Sequence, residues 1–181
     1  MPLKVTFDLS DKDLRYFRKL MRDARGKARA ADESSICKAA QQLLEHVKTS
    51  DAPKCVKELL LKMRPMIEML GDEEWRLEGE DRERVLSALT YFNEPKDVIP
   101  DHTPGFGFLD DAIMVQLVVE ELRHEIEAFE KFCEYRATRS PDAAALAKQR
   151  VQLQTRMRRM RRRERERRRS RSSGRAVIGL W

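Results

Sequence analysis

Apolar residues recur at intervals of three and four along most of this chain, the spacing that lines one buried face of an α-helix. Leu14, Phe17, Leu20, Met21, Ala24 and Ala28 form the first such stripe. Ser10 stands at its start as a cap, with Asp11 and Asp13 suited to the helix's positive end. Ile36, Ala39, Ala40, Leu43, Leu44 and Val47 mark a second helix, preceded by the cap-forming AADESS and ended by TSDAP. Pro53 opens a third, whose face is Val56, Leu59, Leu60, Met63, Ile67 and Leu70. Pro65 lies inside that pattern and removes an amide donor, so a kink or break is expected near Lys62 to Arg64, with Gly71 as the end. A fourth helix is expected from about Asp81 to Asn93, after the acidic turn GDEEWRLEGEDRER. Asp110 to Arg136 reads as one long helix. Its first half is apolar almost all round, and its second narrows to Leu122, Ile126, Phe129, Phe132 and Cys133. Val5, Phe7 and Leu9 alternate as a short strand would, with no partner strand in view.

The expected fold class is therefore all-α: a helical bundle with a proline/glycine-rich helix–helix corner and a basic C-terminal helical or disordered extension. The expected division is an N-terminal segment over 1–9, an α-helical domain over 10–138 and an arginine-rich extension over 139–181.

Charge sharpens this division. From Leu146 to Trp181 there are 14 basic and 2 acidic residues, a net of +12. The preceding 145 residues hold 23 basic and 29 acidic, a net of −6. An acidic body with a strongly basic tail points to an anionic partner, either nucleic acid or an anionic membrane surface. The candidate nucleic-acid-binding residues are Arg156, Arg158, Arg159, Arg161, Arg162, Arg163, Arg165, Arg167, Arg168, Arg169 and Arg171. Guanidinium groups grip phosphates bidentately and stack on exposed bases. Apart from Trp181 no aromatic residue interleaves them, so readout of base sequence is not indicated. The plain alternative is a solvated tail that associates with the chain's own acidic segment, Asp72 to Glu83. Leu146, Val151, Leu153, Met157 and Met160 give the extension a thin apolar seam, and the final SRSSGRAVIGLW is expected to be disordered.

Cys37, Cys55 and Cys133 form no Cys-x-x-Cys pair, which argues against zinc ribbons and thioredoxin-like chemistry. The longest nearly apolar run, AIMVQLVV, is far shorter than the ~20 residues that span a bilayer. With no signal-peptide pattern at the N-terminus, the expectation is a cytoplasmic protein without a transmembrane segment.

One connection stands apart: EPKDVIPDHTPGFGFLDDAIM, residues 94–114. Pro95, Pro100, Pro104, Gly105 and Gly107 make a structural corner, the prolines fixing φ and the glycines permitting close approach. Asp110 or Asp111 can cap the following helix, and Asp97 and Asp101 can cap local turns. The competing reading is a metal site at Asp97, Asp101, Asp110 and Asp111, since clustered carboxylates suit Mg²⁺ or Ca²⁺. The spacing is not that of an EF-hand. His102 is a candidate base only if the corner forms a pocket. Glu121 and His124 supply half of a di-iron Glu-x-x-His pattern, and no second copy exists, so an ordinary charged helix face is expected there. No catalytic residue and no cofactor is assigned.

This corner resembles the signature of the YkvA-like family, small bacterial helical proteins whose domain has no known function. Pro95, Asp97, Ile99, Pro100, Asp101, Pro104, Gly107, Asp110 and Asp111 match its pattern, while His102 and Thr103 stand where larger apolar residues are commoner. The resemblance covers roughly residues 80–120. It implies a helical fold and no established activity. The first helices and the arginine tail lie outside it.

Overall fold

The computed structural model describes residues 10–27, 32–93, 103 and 108–174. Among these, the regular structure is helical throughout and no strand occurs, so the protein is an all-α helical bundle. The helices are α1 (Asp11–Lys27), α2 (Glu33–Thr49), α3 (Lys54–Leu61), α4 (Arg64–Gly71), α5 (Gly79–Leu89), α6 (Leu109–Glu121), α7 (Arg123–Arg139) and α8 (Ala143–Gly174). A 3₁₀ turn, Thr90–Asn93, follows α5. The strand-like Val5 to Leu9 and the corner's Pro95, Pro100, Pro104, Gly105 and Gly107 lie outside the described residues.

The chain forms two compact units: Met1–Ile67 with Glu78–Val119, and Glu68–Leu77 with Glu120–Trp181. In the first, α1 begins as expected. The Ser10 amide and hydroxyl both donate to Asp13 Oδ2, at 2.9 and 2.7 Å, and the Asp13 amide reaches back to Ser10 Oγ at 3.3 Å. This reciprocal pairing satisfies helix-end donors that would otherwise need water. Pro65 acts as its position predicts. The amides of Lys62 and Met63 bond back only three residues, to Leu59 and Leu60 at 3.1 and 3.0 Å, which tightens and ends α3. Pro65 then falls in the first turn of α4, where a missing amide costs nothing. Lys57 Nζ donates to the carbonyls of Lys48 and Ser50, at 3.2 and 2.6 Å, placing a cation at the negative end of α2. Arg82 of α5 pairs with Glu33 of α2. Val47, Leu60, Val85, Leu89, Met114 and Val118 are fully buried in this unit.

The single helix expected over Asp110 to Arg136 is instead two, α6 and α7. Leu122, with φ −100° and ψ 13°, leaves the helical well between them. The Ile126 amide then reaches the Leu122 carbonyl at 2.9 Å and helix resumes. No proline or glycine marks the spot; Leu122 is fully buried, and burial rather than local propensity holds the bend. The disordered ending expected from Ser170 onward is also corrected in part, since α8 stays helical through Gly174. Long unbranched arginine is a good helix former, and the arginine-rich run before Ser170 carries the helix into that stretch.

In the second unit, the acidic turn after α4 hides two core residues. Trp75 and Leu77 are buried, and Trp75 meets Phe129 and Phe132 of α7 with ring centroids 5.7 and 5.2 Å apart. Asp72 Oδ1 accepts the amides of Glu74 and Trp75, at 3.0 and 2.8 Å, and so folds the turn that points the indole inward. α8 packs along α7 through Leu146, Leu153 and Met157, three members of the seam read from the sequence. Val151 and Met160 of that seam face outward.

Leu60 is fully enclosed, so Leu60→Ala leaves a void as well as losing transfer energy. Urea unfolding is expected to show a loss of about 2–5 kcal/mol.

Candidate functional site

The arginines of α8 divide by what they touch. Near its start, the helix is fastened to the Trp75 turn. Arg150 donates to the Glu74 carbonyl at 3.1 Å, and the Gln154 amide donates to the Trp75 carbonyl at 2.8 Å. Arg136 of α7 closes the same turn, reaching Asp72 Oδ2 at 2.9 Å and Glu74 Oε2 at 2.6 Å while its guanidinium lies 5.4 Å from the Phe132 ring centre. The extension thus meets this segment through the backbone carbonyls of Glu74 and Trp75, while the acidic side chains of Asp72 and Glu74 pair with Arg136 of α7.

About two turns further along, charges are paired in the interface. Glu125 of α7 is 0% exposed, and Arg161 of α8, whose side chain is 13% exposed, donates to it at 2.8 Å. Glu164 of α8 accepts from Arg123 at 2.8 Å and from Arg168 at 2.7 Å, and lies 3.0 Å from His124 Nε2. Burial raises the Glu164 carboxyl, but the hydrogen bonds from Arg168 and His124 and the charge of Arg123 outweigh it, and the group is held below the usual glutamate range. His124, half of the Glu-x-x-His pattern, therefore serves a helix–helix contact. A cleft of about 50 Å³ beside it, lined by His124, Glu127, Lys131 and Arg156 among others, is far smaller than the ~300–1,000 Å³ of a typical small-molecule pocket.

Nine of the other candidates face solvent. Arg156, Arg158, Arg159, Arg162, Arg163, Arg165, Arg167, Arg168 and Arg169 are exposed, and Arg171 lies in the final turn. Helical spacing of ~100° per residue spreads most of them over roughly 200° of the α8 circumference. The face they leave is the one that carries Leu153, Met157 and Arg161.

The corner is seen only at its edges. Asp97, Asp101 and His102 lie outside the described residues. Asp110 and Asp111 both sit in the first turn of α6 and are buried, the acidic end expected of that helix. Among the described residues no group of three or more His, Cys, Asp or Glu side chains is arranged to hold a metal ion. Phe108, which sequence reasoning passed over, precedes α6 with φ 63°, a left-handed conformation costly for a bulky residue. It is buried with its ring edge-on to His46, centroids 5.1 Å apart, and that packing holds it. Burial pushes the Cys37 and Cys133 thiols up, so neither is an activated nucleophile.

Comparison with known proteins places the likeness in this region. Residues 84–117, from α5 to the middle of α6, match the model of a family described as a protein of unknown function (DUF1232). Over 92 residues the chain is 29% identical to the uncharacterized membrane protein YkvA of Bacillus subtilis (strain 168), covering 48% of this chain and 81% of that relative. No solved structure matches. These findings support the YkvA-like resemblance read from the sequence. They also correct the expected cytoplasmic placement, because the matched relative is named a membrane protein. Among the described residues no helix is long and apolar enough to cross a membrane.

Two measurements check the α7–α8 interface. Arg161→Met takes a cation partner from the buried Glu125 carboxylate and is expected to cost about 3–5 kcal/mol in urea unfolding. The double variant Glu125→Leu/Arg161→Met should recover most or all of that loss. Glu164 has its folded value below the ordinary 4.5, so it stabilises above that pH, and its contribution fades as acid protonates it. Glu164→Gln should therefore be less stable than the parent at neutral pH, with the gap closing as the pH falls below 4.5 and through the lowered folded value.

Proposed function

We propose that this protein is a non-enzymatic interaction protein whose α8 binds polyanions, nucleic acid foremost. The observation that supports the reading is the placement of the α8 arginines. One face of the helix is fastened by the Trp75 turn, Glu125 and Glu164, and from Arg156 onward arginine covers most of the remaining circumference. Charge spread over so wide an arc suits a partner that curves round a helix, as nucleic-acid grooves and folded RNA do. A flat partner would reach only part of it. Binding of this kind is electrostatic and tolerant of sequence, driven by release of counterions from the phosphates.

A second reading, attachment at a membrane, is favoured by the name of the matched relative, an uncharacterized membrane protein. Without a spanning helix among the described residues, it takes the form of association with the anionic surface.

Filter binding of duplex DNA and RNA across a salt series tests the first reading. If α8 neutralises about six phosphates, log affinity on duplex DNA falls against log salt with a slope near −5. Replacing Arg158, Arg159, Arg162, Arg163 and Arg165 by Gln keeps Arg150, Gln154, Arg161 and Glu164 in place and should flatten that slope by most of its value. An unchanged slope in that variant would count decisively against α8 as the contact.

A further inference from the structure

We propose that α1 carries a second anion-contacting surface, and that the surface it fits is a flat layer of anionic lipid headgroups. This gives the membrane reading above a site, rests on that reading and is independent of α8. Lys12, Arg15, Lys19 and Arg22 of α1 are all exposed. At ~100° and ~1.5 Å per residue they fall in one sector of roughly 80° and form a stripe about 15 Å long. Phe17 and Met21 on the opposite side are buried, which fixes the stripe outward. Arg18 flanks it on one side and Tyr16 on the other, both exposed.

Three features distinguish this surface from α8. Its charge is one-sided, so a plane meets all four basic residues at once and nothing must wrap round them. Each basic residue near an anionic membrane contributes about a fivefold factor in partition. Tyr16, 51% exposed, stands edge-on to Phe17 with centroids 5.8 Å apart. An exposed ring with an apolar body and a polar tip suits the headgroup level of a bilayer. The acidic residues leave the stripe's centre clear: Asp13 is taken up by Ser10, and Asp11 and Asp23 lie toward opposite ends of the helix.

Co-sedimentation of the full chain with vesicles tests the proposal, using phosphatidylcholine mixed with phosphatidylserine and phosphatidylcholine alone. The α8 variant with Arg158, Arg159, Arg162, Arg163 and Arg165 replaced by Gln serves as parent, so that α8 does not mask the result. This parent should pellet with the anionic vesicles only, and be released by salt. Adding Lys12→Gln, Arg15→Gln, Lys19→Gln and Arg22→Gln should lower its partition by roughly several hundredfold, with circular dichroism unchanged. Tyr16→Ala alone should lower it several-fold. Binding by the parent that ignores salt, or equals that to phosphatidylcholine alone, overturns the proposal. So does full retention after the four α1 substitutions, or failure of the parent to bind at all. That last result leaves the α8 reading untouched, and a failure of the nucleic-acid slope leaves this one standing.

Discussion

A fully buried carboxylate governs what α8 can present to the outside. Glu125 has no access to water and is held by Arg161 across the interface. Leaving that carboxylate without its cation is among the more expensive changes available to a protein of this size. A slide of α8 by one residue would turn Arg161 away from Glu125 and Met157 away from its buried face. Gln154 and Arg150 hold the same register from the other end, on the carbonyls of the Trp75 turn. With the helix held at both places, the solvent arc of its middle is fixed too, and that arc carries arginines.

What was legible in the sequence were features with local causes. Ser10 and Asp13 cap α1, Pro65 splits α3 from α4, and Leu146, Leu153 and Met157 face inward on α8. Each follows from spacing or from a missing amide. The illegible features have distant causes. Leu122 bends the chain with no proline or glycine to announce it. Trp75 and Leu77 sit in an acidic, turn-like stretch and become core only because Asp72 folds that turn. Arg161 and Arg156 look alike in a run of arginines, and only the buried partner on α7 separates them. Of the acidic corner, the sequence located the two first-turn carboxylates of α6, while their burial depends on packing that no local pattern encodes.

The two basic helices solve different geometrical problems. α1 rests one apolar face on its own unit and shows a narrow basic stripe on the other. α8 spends a narrow face on α7 and shows charge over most of what remains. Net charge alone does not separate the two. The angular width of the charge does, since it decides how curved a partner must be to engage all of it.

Beyond Glu164, α8 continues for about another ten residues, the last of them Gly174. Arginines there repel one another at three- and four-residue spacing, and only Arg162–Glu166 and Arg168–Glu164 offset this among the described residues. That overhang is therefore the part of the molecule whose coil content should rise in dilute buffer and fall as counterions condense on it. A bound polyanion would do the work of those counterions, stiffening the last turns and lengthening the helix in the act of contact.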